Sequence, residues 1–147
     1  MRIIFTKAKS SDAAAVRALE ALVWEEEVTS KYDTPMFIRF GYVFIAKTGK
    51  KIIGAIVAFP TNGGDVFVSD IVVHPEYQGQ GIGEKLYRKL LKAVRGTDIV
   101  SFLNPYLLPT RELHKKLGGK TVARIKDAYQ LKEGLEVGER LLIRIKN

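Results

Sequence analysis

The 147-residue chain has no cysteine and only two histidines, His74 and His114. Those absences exclude a disulfide framework, a thiolate zinc site, an iron–sulfur cluster and a cysteine nucleophile, and they argue against a metal centre of any kind. No apolar run approaches the ~18 residues of a membrane-spanning helix. The opening MRIIFTKAKSSD has neither the apolar core nor the small-residue cleavage site of a secretory signal. Acidic residues are in deficit, 16 Asp and Glu against 24 Lys and Arg, which leaves a formal net charge of +8. The composition predicts a soluble cytoplasmic protein with one domain over residues 1–147 and no metal. Its charge favours polyanions: nucleic acid, an acidic protein, or a small ligand carrying several phosphates.

Local pattern predicts the elements. A short β run over 3–8 precedes Ser10, Ser11 and Asp12, which offer N-cap chemistry for a helix to about Glu26 with Val16, Leu19, Leu22 and Val23 as its apolar stripe. A Pro-containing stretch over 31–41 suits a second short helix. Two β-rich segments, 42–47 and 51–59, flank Thr48, Gly49 and Lys50 and read as a hairpin with a three-residue loop. A third strand over 65–73 follows. The period then changes: Ile82, Leu86, Leu90 and Val94 form a helical stripe that stops at Gly96, before another strand over 98–103. Pro109 opens a helix carrying Leu113 and Leu117, and two last strands, 121–125 and 141–145, bracket a polar segment over 131–138. The expected architecture is α/β (α+β), a mixed and mostly antiparallel central sheet with helices on both faces.

Chemistry concentrates where the third strand meets the Gly81 helix, in Val72-Val73-His74-Pro75-Glu76-Tyr77-Gln78-Gly79-Gln80-Gly81-Ile82-Gly83. Glycines at alternate positions permit tight bends and close approach of a ligand to the backbone. The first N–H groups of a helix lack internal partners, and the helix dipole puts about half a positive charge there, so a phosphate is the natural guest. The dinucleotide fingerprint fails because position 84 is Glu, and the Walker loop fails because Gly83 is followed by Glu84-Lys85-Leu86.

Gln78-Gly79-Gln80-Gly81-Ile82-Gly83 does fit Gln-x-x-Gly-x-Gly, and with it the chain resembles the GNAT superfamily of acetyltransferases. Ser69-Asp70-Ile71-Val72-Val73-His74-Pro75 resembles the family's fourth strand, and Leu113-His114-Lys115-Lys116-Leu117-Gly118 resembles its Leu-Tyr-Glu-Lys-Leu-Gly segment. The order of elements also matches, from residue 2 to about 130.

The resemblance implies an N-acetyltransferase that uses acetyl-CoA as co-substrate. Gln78, Gly79, Gln80, Gly81, Ile82 and Gly83 would hold the pyrophosphate, the main chain of Ile71, Val72 and Val73 would align the pantetheine arm, and Asn104 would touch the cofactor. The N–H of Val73 would stabilise the oxyanion. His114 stands where relatives commonly have a Tyr that protonates the thiolate, and a packed histidine is its alternative. Relatives' strand glutamate has no counterpart, since Phe67 and Phe102 occupy its neighbourhood, so Asp70 is the nearest carboxylate for a general base, with a salt bridge as its alternative. Base strength matters because a Lys-like amine of pKa ~10.4 costs about 4.6 kcal/mol to deprotonate at pH 7.

Glu25, Glu26 and Glu27 would face a cationic acceptor or simply end a helix in solvent, and Tyr129 stands where acetylases of protein N-termini often carry a Tyr. Lys85, Arg88 and Lys89 would meet phosphates or form a solvated helix face. Gly119 replaces the family's aromatic after Leu-Gly. The partner expected is an amine-bearing acceptor, with no membrane and a homodimer left open. The competing functions are an acyl-CoA sensor without catalysis and a basic nucleic-acid module, the latter disfavoured because no stacking motif or Arg/Lys-rich recognition helix is present.

Overall fold

A computed structural model describes residues 2–128 and 139–147. Strand β1 (Ile4–Lys7) leads through a turn of 3₁₀ helix, Ser10–Asp12, into α1 (Ala13–Trp24) and α2 (Asp33–Phe40). Then come β2 (Tyr42–Thr48), β3 (Lys51–Pro60), β4 (Val66–Val73), α3 (Ile82–Ala93), β5 (Ile99–Leu103), α4 (Leu108–Lys116), β6 (Lys120–Ile125) and β7 (Arg140–Ile145). One sheet runs β1-β2-β3-β4-β5-β7-β6, antiparallel at every pairing except β4 with β5. Helix α3 connects those two parallel strands, as such a crossover requires. The expected α/β layering is therefore present. Ile82, Leu86, Tyr87 and Leu90 of α3 close one face of the sheet, and Val16 and Leu19 of α1 with Ile38 of α2 close the other.

Two local expectations are corrected. Leu22 is 52% exposed and Glu20 is 1% exposed, so the inward stripe of α1 runs Val16, Leu19, Glu20 instead of through Leu22. The β2–β3 hairpin pairs Thr48 with Lys51, so its loop has two residues, Gly49 and Lys50, and Gly49 takes φ +57°. A two-residue loop of this kind matches the twist of the strands it joins.

Two irregularities of β4 prepare the site. Its pairing with β5 stops after Val66–Ile99, Phe67–Val100 and Val68–Ser101, although β4 continues to Val73. The two strands splay apart beyond that point. Within β4 the register with β3 slips, Val57 facing Asp70 while Ala58 faces Val68, which makes Ser69 a bulge. Val66 and Val68 before it, and Ile71 and Val73 after it, all lie on the α3 face, whereas Val72 lies on the α1 face.

Gly119, at the turn into β6, is required by space. A Cβ there would sit 2.8 Å from Ile143 Cγ2 and 2.9 Å from the His114 carbonyl oxygen, and the Gly119 N–H already donates to that oxygen at 2.8 Å. The aromatic that relatives place here has no room. Gly119→Ala is expected to lower stability by about 1–3 kcal/mol through overpacking, read as a fall in the urea midpoint with an unchanged m-value.

Candidate active site

The loop between β4 and α3 is shaped by its glycines. Gly79 and Gly81 take φ +77° and +75°, a region where a side chain is strained, and Gly81 is the residue that caps α3. A Cβ on either would meet no protein atom within 4 Å, so the loop's outer surface is bare backbone facing open space. Gln78 braces the turn: its Nε2 donates to the Val73 carbonyl at 3.1 Å. The N–H of His74 donates to the Ile53 carbonyl of β3 at 2.8 Å. Backbone groups alternate along a strand, so the amide and carbonyl of Val73 point the opposite way, into the splay.

A cleft of about 930 Å³ opens here, lined by Ile71, Val72 and Val73 of β4, by Tyr77, Gln78, Gly79 and Gly81 of the loop, by the first turn of α3, by α4, and by Val23 and Trp24 of α1. Glu84 lines the cleft but is neutralised. Lys116 Nζ lies 2.8 Å from its Oε2 and Arg88 Nη2 lies 2.9 Å from its Oε1. These two cations, Lys116 first, hold the Glu84 carboxyl below its ordinary pKa. The helix N-terminus therefore keeps its positive character.

On the α1 face of β4, the Trp24 indole N–H donates to Asp70 Oδ1 at 3.0 Å. Asp70 Oδ2 is buried and receives no donor. The Asp70 carboxyl lies within hydrogen-bonding reach of Glu20, whose Oε1 accepts from Thr29 Oγ1 at 2.8 Å. Burial above all, then the hydrogen bond and repulsion from Glu20, push the Asp70 carboxyl up to about 8. Asp70 itself is half-buried and does not line the cleft, whereas its chain neighbour Ile71 and its partner Trp24 do.

His114 sits elsewhere. It is 3% exposed and does not line the cleft. Its Nδ1 lies 2.7 Å from the Thr110 carbonyl, which can only accept, so Nδ1 carries the proton. Nε2 then presents its lone pair to Tyr87 Oη at 2.9 Å and Ser101 Oγ at 3.0 Å. Burial lowers the His114 pKa, partly offset by the Thr110 carbonyl, and burial likewise raises that of Tyr87. The three side chains tie α4, α3 and β5 together from inside the core. A neutral histidine whose free nitrogen accepts hydrogen bonds does not match the expected donor of a proton to a thiolate.

Several other expected residues are also placed. Gln78, Gly79, Gly81, Ile82 and Gly83 line the cleft with Ile71, Val72 and Val73, whereas Gln80 and Asn104 do not. Asn104 Oδ1 accepts from the Tyr106 N–H at 3.0 Å, the turn-initiating role open to an Asn before Pro. Glu25 ends α1 at φ +60°, and Glu25, Glu26 and Glu27 are exposed. Lys85, Arg88 and Lys89 line a separate shallow groove with Phe5 and Lys92. Tyr129 and the polar segment 131–138 lie outside the described residues. Glu20, Trp24, Tyr87 and Ser101 were not picked out by sequence. The one available signal was Glu20, four residues after Val16 on the buried side of α1.

Comparison with known proteins agrees with this geometry. The sequence is 42% identical over 50 residues to GCN5-related N-acetyltransferase 2, chloroplastic, of Arabidopsis thaliana, a match covering 34% of this chain and 19% of that protein. In fold it is similar to the ribosomal-protein-S18-alanine N-acetyltransferase of Escherichia coli, with TM-score 0.82, 16% identity, and 99% and 94% of the two chains covered. It is equally similar to diaminobutyrate acetyltransferase EctA of Paenibacillus lautus, solved with L-2,4-diaminobutyric acid and coenzyme A. There the TM-score is 0.82 at 20% identity, with 99% and 95% covered. Among the described residues no helix is long and apolar enough to cross a membrane. Residues 13–119, most of the chain, match the family described as Acetyltransferase (GNAT) family, and the chain belongs to it.

Proposed function

We propose that this protein is an acetyl-CoA-dependent N-acetyltransferase, passing the acetyl group to a primary amine of a small molecule, a peptide or a protein N-terminus by direct attack. One observation carries the reading: the bare amides at the N-terminus of α3 open onto the same cleft as the unpaired edge of β4. A diphosphate suits the first, and an arm containing amides suits the second, because it can complete the ladder that β5 leaves unfinished. The cleft's 930 Å³ also suits a ligand of that size. In this reading the amides from Gly79 to Gly83 hold the pyrophosphate, Gln78 fixes their direction, and Ile71 to Val73 align the arm.

The acceptor enters from the Trp24 side. Its ammonium group gives a proton, through water, to the ionised form of Asp70, which gains population as pH rises toward about 8. The neutral amine attacks the thioester carbon, and negative charge gathers on the carbonyl oxygen beside the Val73 N–H. The C–S bond then breaks. A thiolate of ordinary pKa, near ~8.5 for a thiol, leaves without a dedicated acid and takes the amine's second proton through water. Asp70 returns its proton to solvent. We assign His114 to holding α4, outside the proton path.

Thermal melting with ligands tests this first. Acetyl-CoA at 100 times its Kd is expected to stabilise the fold by about 2.7 kcal/mol, a Tm rise of roughly 5–10 °C. Dephospho-CoA should stabilise less. Release of free thiol is then followed with phenethylamine, spermidine, free amino acids and tripeptide amides. An absent shift with acetyl-CoA, or a shift only with an oligonucleotide, overturns the reading. A shift with no thiol release from any acceptor marks a sensor instead.

A further inference from the structure

The least comfortable atom in the described structure is Asp70 Oδ2. It is buried, it receives no hydrogen bond, and the group within hydrogen-bonding reach of its carboxyl is another carboxyl, that of Glu20. Glu20 is 1% exposed on α1, where a glutamate without compensation is strongly disfavoured. Its Oε1 accepts from the Thr29 hydroxyl. Two buried carboxylates side by side repel each other, and neither has a cation partner among the ion pairs of the described residues. A single proton held between them supplies the donor that Asp70 Oδ2 lacks and removes one of the two charges.

The structure assigns Glu20 as a positioning residue of the acetyl-transfer reaction: it shares a proton with Asp70 and thereby makes Asp70 a base strong enough to deprotonate an amine. This rests on the acetyltransferase reading for its chemistry. Its structural half, the shared proton, does not.

The doubly ionised pair takes one proton from R–NH₃⁺, giving R–NH₂ and a pair with a single negative charge, and that proton bridges the two carboxyls. An isolated aspartate, near 3.9, would be far too weak for an amine near 8 to 10. The ionisable group acting on Asp70 is Glu20 from α1, while the indole of Trp24 and the amide of Ile71 donate to it; the Asp70 charge in turn acts on Tyr87 of α3. Trp24 also lines the cleft, which puts the pair one side chain from the space where the acceptor amine arrives. The same coupling ties α1 to β4. Its contribution to stability is complete below the ordinary aspartate value and is lost as pH rises through about 8.

The test compares wild type with Glu20→Gln and Glu20→Asp. Gln fills the same volume and offers an amide donor, which favours the ionised form of Asp70 in place of the shared proton. With aspartate carboxyls labelled with ¹³C, and Asp70→Asn identifying the signal, Asp70 in the wild type should stay protonated through neutral pH. In Glu20→Gln its midpoint should fall by two pH units or more, and Glu20→Asp should restore part of the shift. This readout needs no acceptor, so it stands even if no amine is turned over.

For the best amine of the panel above, Glu20→Gln should lower the plateau of kcat at least tenfold. The acid limb of kcat/KM should move to lower pH, with KM for acetyl-CoA unchanged. A purely structural role would reduce activity without moving the limb. Identical Asp70 titration in wild type and Glu20→Gln, or a wild-type midpoint near 4, overturns the proposal. Failure of acetyl-CoA to bind the wild type would overturn the acetyltransferase reading alone.

Discussion

Gly81→Val is expected to raise the Kd for acetyl-CoA roughly 10²–10³-fold while leaving a folded protein. Gly81 caps α3 at φ +75°, where a β-branched residue is strained by about 1–2 kcal/mol. The backbone relieves that strain by turning, and the amides proposed to grip the pyrophosphate turn with it. Each hydrogen bond to a charged group is worth about 1.5–3 kcal/mol, so losing one or two, with the added bulk, gives about 3–4 kcal/mol and hence the stated factor. The loss is specific because a Cβ at this position touches no protein atom. Isothermal titration with acetyl-CoA measures it, and circular dichroism checks the fold. Unchanged affinity would remove the loop from the binding site.

The second large effect falls on stability. His114→Ala should destabilise the protein by about 3–5 kcal/mol, because it opens a cavity and leaves the hydroxyls of Tyr87 and Ser101 without their acceptor. Tm should drop by about 10 °C. His114→Gln, whose side-chain carbonyl can accept from the same hydroxyls, should recover most of that loss and keep thiol release within a few-fold of wild type. Loss of turnover in a stable His114→Gln would restore the histidine to the proton path.

Acid unfolding gives an independent check on His114. Its folded pKa lies below the ordinary 6.5, so the unfolded chain takes the proton more readily. The stability due to neutral His114 is complete above about 6.5 and drains away as pH falls through the depressed folded value. The Gln variant should lack that dependence in urea midpoints measured between pH 5 and 7.

The glycine turn from β4 into α3 was legible in the sequence because everything it needs is local: three alternating glycines, a strand before them and a helical period after. The layering of the sheet was legible for the same reason, since the strand–helix–strand run of β4, α3 and β5 dictates a parallel pair. His114 was legible as an aligned residue but not as a participant in any network. Tyr87 and Ser101 lie 27 and 13 residues from it and are brought close only when α3 and β5 pack under α4.

Asp70 stood out as a charge inside an apolar strand, yet its partner did not. Reading Leu22 as the inward face hid Glu20, and only a third dimension reveals which side of α1 meets the sheet. Asn104 illustrates the opposite error. Its position relative to β5 suggested a ligand contact, and the short range of its side chain went to its own turn.

Ser69 has an exposed side chain and joins none of the networks described above, which makes it look dispensable. Its backbone sets parity. Because it adds one residue to β4, Asp70 and Val72 lie toward α1 while Ile71 and Val73 lie toward α3. Pairing Ser69 regularly with β3, with no bulge, would invert every later side chain of the strand, sending a carboxylate into the hydrocarbon beneath α3 and two aliphatic groups toward Glu20. Excising Ser69 would instead leave those faces as they are, because Val68 and Asp70 already oppose Ala58 and Val57, which are adjacent in β3.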